Sequence, residues 1–129
     1  MMYNLLVEQL FFDLRHAGDL PGIEGNRQVF ETGTPGQASL IRLTLIADDH
    51  GRIRRAGFKA YGNPYLLAAM EYLCRQIEGR QLHDCPSLTW QDLIKLLDIP
   101  VTQQAVALLV AGIYQQMLNS LQQQELGKT

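Results

Sequence analysis

The chain has 129 residues, of which 47% are hydrophobic and 19% charged, with a formal net charge of -2. That length suits one domain with a real core, and the slightly acidic balance argues against nucleic acid as the main partner, because phosphate binding needs concentrated positive charge. No apolar run approaches the ~20 residues that cross a bilayer, and the opening MMYNLLVEQLFF has neither the basic n-region nor the small-residue cleavage site of a signal peptide.

Residues 3 to 15 place Leu5, Leu6, Leu10, Phe11 and Leu14 at helical spacing, which predicts an amphipathic first helix. GDLPGIEGN breaks it with Gly18, Pro21, Gly22 and Gly25. RQVFETG reads as a short strand and TPG as a turn. In SLIRLTLIA, Ile41, Leu43 and Leu45 alternate with Arg42 and Thr44, the pattern of a half-buried strand. DDHG then joins it to RIRRAGFKAY as a hairpin. The parity of that strand slips, with Ile53 on one face and Ala56, Phe58 and Ala60 on the other. A bulge near Arg54 and Arg55 reconciles them, or the strand begins later. The cluster Arg52, Arg54 and Arg55 beside Asp48 and Asp49 reads as a solvated hairpin end.

The remainder is helical. Leu66, Met70, Leu73, Cys74 and Ile77 form one apolar stripe over residues 64 to 78, and Asn63-Pro64 is a good helix start, with Asn as N-cap and Pro at the first helical position. LTWQDLIKLLDI is a shorter helix that Thr89 or Ser87 can cap. Val106, Leu109, Val110, Ile113, Met117 and Leu121 form a third stripe from about Thr102 to Leu121. Strands followed by helices predict an α+β fold: an N-terminal helix, a three-stranded antiparallel sheet, then helices packed on one sheet face. The whole chain reads as a single domain, 1–129, with a glutamine-rich end at about 119–129.

Cys74 and Cys85 make neither a disulfide framework nor a CxxC pair, so the chain reads as cytoplasmic with reduced thiols. Cys74 falls on an apolar stripe, as a buried small hydrophobe would. Cys85, with His83 and Asp84, reads first as a polar turn, since two or three adjacent donors do not complete a tetrahedral site. His16 and His50 show no partner. No Ser/His/Asp order, paired carboxylates or phosphate loop appears, so there is no positive case for an enzyme. The last helix is nearly free of charge between Thr102 and Gln124. It either covers the sheet or meets a partner or a second copy.

IADDHGRIRRAGFKAYGNPYLLAAMEYLCRQIEGRQL resembles the centre of the IscU/NifU N-terminal family of iron–sulfur cluster scaffolds. Phe58, Lys59, Tyr61 and Gly62 match the strand end of that family, and Gly79, Arg80 and Leu82 its helix end. FFDLRHAGDL is similar to the Asn-Pro-Arg-Asn-x-Gly element, keeping Arg15 and Gly18, with His16 at the second asparagine. TGTPGQASLIRL resembles the Ala-Cys-Gly-Asp stretch, keeping Gly36, and LLDIPVTQQAVALLVAGI the run into the last helix, keeping Pro100. The four motifs stand in order over roughly residues 3 to 120.

The resemblance implies three cysteine ligands, an aspartate and a nearby histidine, and every one of those positions has changed. Pro35 replaces the first cysteine and Gln37 the aspartate. Asn63 replaces the second cysteine, with Pro64 for the glycine after it, while Ala105 and Val106 replace the histidine and the third cysteine. Iron–sulfur clusters need thiolate or, occasionally, imidazole ligands, so no cofactor is expected at the family position. The chaperone-docking Leu-Pro-Pro-Val-Lys stretch reads Ile99, Pro100, Val101, Thr102, Gln103, without its second proline and lysine. The usual chaperone recognition is therefore not expected.

The resemblance thus implies an iron–sulfur assembly protein that acts by protein–protein binding. Its partner would be a cysteine desulfurase or another iron–sulfur assembly protein, met through Pro35, Asn63, Pro100, Val101 and Gln103 as candidate contacts. Two alternatives stand beside it. One is iron or an iron–sulfur cluster held by the relocated ligands Cys85 and His83; the other is an oligomerising module, a homo-oligomer included, outside iron–sulfur metabolism.

Overall fold

A computed structural model describes residues 3–20, 26–32, 41–62 and 64–127, with side chains to residue 122. The chain begins with helix α1, Leu5–Phe11. Asn4 caps it: its side-chain oxygen accepts from the Val7 amide at 2.9 Å, while its Nδ2 donates to the Leu96 carbonyl at 3.2 Å and ties this end to a later helix. The sequence predicted a helix over 3 to 15, but it ends at Phe11. Beyond it the chain leaves the helix to lie against a strand that is far away in sequence.

Three strands follow, β1 (Asn26–Thr32), β2 (Ile41–Ala47) and β3 (Ile53–Ala60), antiparallel in the order β1-β2-β3. Phe30, Leu43 and Phe58 stand in register across the sheet, as do Gln28, Leu45 and Ala56. These rows set the face that meets the helices. The register steps between Ile46, which pairs with Arg55, and Ala47, which pairs with Ile53. Arg54 is therefore the extra residue of a β-bulge, and the parity slip in the sequence has that cause.

The far face of β2 is more buried than its alternation suggested, with Thr44 6% and Ile46 5% exposed. Part of the cover is Leu20: a Cβ on Gly57 would lie 3.0 Å from Leu20 Cδ2 and 3.3 Å from the Gly18 carbonyl oxygen. That approach explains why a residue without a side chain sits mid-strand. The segment carrying Leu20 also extends the sheet. The Phe58 amide donates to the His16 carbonyl and the Gly18 amide to the Phe58 carbonyl, each at 2.8 Å, in a parallel bridge.

Helix α2 spans Pro64–Ile77 and packs on β3 and α1. Asn63, the expected cap, lies outside the described residues. Gly79, at φ 88, turns the chain back after α2. A short 3-10 turn, Leu82–Asp84, leads to α3, Trp90–Leu97. Thr89 is its N-cap in a full capping box: the Asp92 amide donates to Thr89 Oγ1 at 3.1 Å and the Thr89 amide to Asp92 Oδ2 at 3.0 Å. A second 3-10 turn, Val101–Gln103, opens α4, Gln104–Gly127, which packs on β1, α2 and α3. The Tyr114 hydroxyl donates to the Pro86 carbonyl, pinning the loop before α3 to α4.

The core lies between the sheet and these helices, built from Leu43, Leu45 and Phe58 below and Leu66, Met70, Leu73, Ile77, Leu93, Val110 and Ile113 above. Cys74 belongs to it, fully buried, and burial pushes its thiol far above the usual range. No helix among the described residues is long and apolar enough to cross a membrane.

Candidate functional site

The positions that the family resemblance singles out fall in two groups. Pro35, Gln37 and Asn63 lie outside the described residues. Pro100, Val101, Gln103, Ala105 and Val106 are brought together at the head of α4. Pro100 is the N-cap of the 3-10 turn and accepts from the Gln103 amide at 2.8 Å. Val101 is 81% exposed, an apolar side chain standing in water, and Leu108 one helical stretch later is also exposed. Ala105 is exposed and Val106 buried in the core. Neither side chain has a lone pair to offer a metal. What this end of the molecule presents to solvent is apolar side chain rather than metal-ligand chemistry.

Cys85 and His83 sit on the turn after α2. The His83 ring is exposed and 3.8 Å from the Asp84 carboxylate, too long for a good hydrogen bond. Cys85 is half-buried, its Sγ donating to the Gln81 carbonyl at 3.6 Å, and burial pushes the thiol up despite the opposing pull of Arg80. It lines a cleft of about 480 Å³ with Leu88, Trp90, Tyr114 and Leu118. The polar side chains of that lining, Ser87, Thr89, Gln91 and Gln115, are hydroxyls and amides and include no second thiol, imidazole or carboxylate. Among the described residues no three His, Cys, Asp or Glu side chains are grouped as a metal site would require.

The densest polar arrangement is one that sequence reasoning missed. His16 has no neighbour in sequence to pair with, yet its Nδ1 lies 2.6 Å from Glu71 Oε2 and its Nε2 3.0 Å from Glu78 Oε1. Glu71 is fully buried in the middle of α2, and both of its oxygens are used. Oε1 accepts from the His16 amide at 2.8 Å, and Oε2 also accepts from Arg75 Nε at 2.7 Å. Arg75 in turn donates to the Asp13 carbonyl. Glu78 Oε2 accepts from the Ala56 amide at 2.9 Å, so one carboxylate joins α2, β3 and the N-terminal segment.

A ring with a carboxylate on each nitrogen is a double donor, which is an imidazolium. Burial alone would lower the pKa of His16, but the hydrogen bonds to Glu71 and Glu78, with their charges, outweigh it and raise it. The two carboxylates approach opposite sides of the ring, so the donors do not converge on a common point where an ion could sit. The network is a clamp. A signal for it existed: Glu71, Arg75 and Glu78 recur at i, i+4 and i+7, a polar line along a helix otherwise read for its apolar stripe.

The family described as NifU-like N terminal domain matches residues 2–126 of the chain. No curated protein matches it. Among solved structures it is similar to a candidate iron–sulfur cluster assembly scaffold protein of the SUF system from Fervidobacterium islandicum AW-1. The TM-score is 0.66 and the identity 13%, over 86% of this chain and 92% of the other. It is also similar to the N-terminal part of a nitrogen-fixing NifU-like protein from Brucella abortus, with TM-score 0.63 and 10% identity over 93% of this chain and 94% of that one. At such identities the likeness is one of fold.

Proposed function

We propose, for a chain that belongs to the NifU-like N-terminal domain family, that it serves iron–sulfur cluster assembly by binding another protein rather than by holding a cluster at the family position. The observation that carries this reading is the head of α4. Where the family resemblance expects a histidine and a cysteine, Ala105 and Val106 offer no donor, and Val106 has been taken into the core. The residues present at Pro35, Gln37 and Asn63 offer no thiolate or imidazole either, so the set does not fit a cluster.

The same end of the molecule supplies what a contact surface needs. Val101 and Leu108 are exposed apolar side chains, beside the uncharged Gln103 and Gln104. Exposed apolar groups without flanking charge favour association with a protein surface. The partner class is a cysteine desulfurase or another iron–sulfur assembly protein, approached by a frame resembling that of a scaffold. We place this activity in the cytoplasm, and it requires no catalysis by the chain itself.

Two measurements test the reading together. After anaerobic reconstitution with ferrous iron and sulfide, the desalted protein is expected to retain near-zero iron and acid-labile sulfide with its circular dichroism unchanged. Titration calorimetry against a cysteine desulfurase is expected to give saturable binding that Val101→Asp weakens. A stoichiometric cluster would overturn the first half, and Cys85→Ser would then show whether the relocated ligands Cys85 and His83 hold it. No heat of binding, with either a desulfurase or a cluster-carrying scaffold, would overturn the second.

A further inference from the structure

The outer edge of β3 is covered twice and left open once. Near its start, the Gly79 amide donates to the Ile53 carbonyl at 2.6 Å and the Ile53 amide to the Arg80 carbonyl at 2.9 Å. Near its end, Phe58 pairs with His16 and Gly18. Between these covers lie Arg54, Arg55 and Ala56, where the bulge breaks the register. A cleft of about 490 Å³ opens there, lined chiefly by Arg15, His16, Asp19, Arg54, Arg55 and Glu78.

Most of the charge around this cleft is already matched. Arg15 bonds Asp13 at 2.7 Å, Lys59 bonds Asp19 at 2.9 Å, and Glu78 is shared between His16 and the Ala56 amide. Arg54 and Arg55 are different. Among the described residues neither has a carboxylate at salt-bridge distance. Both are exposed. Successive strand residues normally face opposite ways, yet both of these line one cleft, because a bulge turns its extra residue toward its neighbour's side. The result is two exposed arginines lining one concavity, with Asp48 acting on Arg54 only from beyond salt-bridge distance, on a protein whose net charge is -2.

We propose that this cleft binds a small polyanion whose oxyanion groups, phosphoryl or carboxylate, are gripped by Arg54 and Arg55. Guanidinium forks match such groups in a bidentate fashion. The volume falls in the usual range for small-molecule sites. The stretch of edge without a backbone partner spans only Arg54 to Ala56, and Glu78 already holds the Ala56 amide, which leaves too little for a peptide to add as a strand, so the occupant is a small molecule.

The test is amide NMR titration of the full chain at constant ionic strength with pyrophosphate and, separately, with citrate. Saturable shifts are expected at Ala17 to Asp19, Arg54 to Ala56 and Gly79. The double variant Arg54→Gln/Arg55→Gln is expected to weaken binding by at least about tenfold, whereas Arg42→Gln, at an arginine paired with Glu31 on the sheet, leaves it unchanged. Preference for pyrophosphate marks a phosphoryl ligand and preference for citrate a carboxylate one; both support the site. Shifts that do not saturate, shifts spread over all arginines, or a double variant that binds like the parent would overturn it. So would an acidic peptide that binds where both small anions fail.

Discussion

Two polar regions meet at the outer edge of β3, and they have been finished differently. Under the N-terminal segment, Glu71 is wholly buried and each of its oxygens is occupied by His16 or Arg75. In the cleft beside it, Arg54 and Arg55 are exposed, and neither has a carboxylate at salt-bridge distance among the described residues. Saturated polar groups hold a fold together, because removing one member strands another in a low-dielectric interior. Unsaturated exposed ones cost the fold little and remain free to meet something else. The contrast separates the residues that hold this molecule from those that can recognise.

The sharpest way to break that contrast is Glu71→Ala, which leaves His16 and Arg75 facing an empty site. It is expected to cost about 3 kcal/mol in urea unfolding, at the low end for broken buried pairs because Arg75 keeps some water contact. His16→Gln comes next, at about 2 kcal/mol near pH 6, for the loss of two charge-assisted hydrogen bonds. Its pH dependence has a definite sign. The His16 pKa is raised in the folded state, so the folded protein holds that proton more tightly than the unfolded chain does. The stabilisation is complete below the unfolded value of about 6.5 and is lost as pH rises through the raised folded value. Unfolding midpoints measured across that window should fall for the parent and stay flatter for His16→Gln. A parent with no such fall would show that His16 is not charged in the fold.

Smaller effects sharpen the comparison. Thr89→Ala removes a saturated but exposed group, the cap of α3, and is expected to cost about 1 kcal/mol by the same unfolding measurement. Arg54→Gln/Arg55→Gln should change stability by less than about 0.5 kcal/mol, although it is expected to weaken anion binding by at least about tenfold. A large loss of stability there would mean the two arginines are structural after all.

Much of this was legible in the sequence because it is local. Alternation in Ile41 to Leu45, the stripe through Leu66, Met70 and Ile77, and the cap at Thr89 all rest on spacings of a few residues. Even the bulge was half visible: the parity of Ile53 and Phe58 left either an extra residue between them or a later strand start, and the register step decides for the bulge. His16 was opaque for the opposite reason. Its partner Glu71 is 55 residues away, and nothing in the local pattern around either residue announces the other. The early end of α1 has the same origin: Leu14 continues the helical spacing, but the pairing of His16 and Gly18 with Phe58 takes the chain into an extended path. At the candidate partner surface, the residue types at Ala105 and Val106 could be read directly, whereas the exposure of Val101 depends on how the 3-10 turn meets α4.

The parallel bridge between the N-terminal segment and β3 also sets an order of events. The stretch from Asp13 to Gly18 is synthesised before Phe58, Glu71, Arg75 and Glu78, the groups it binds. Its docking must therefore wait until α2 has been synthesised and has packed on the sheet, since contacts of long sequence separation form late. Leu20, the cover of Gly57, stays unsheltered for that interval.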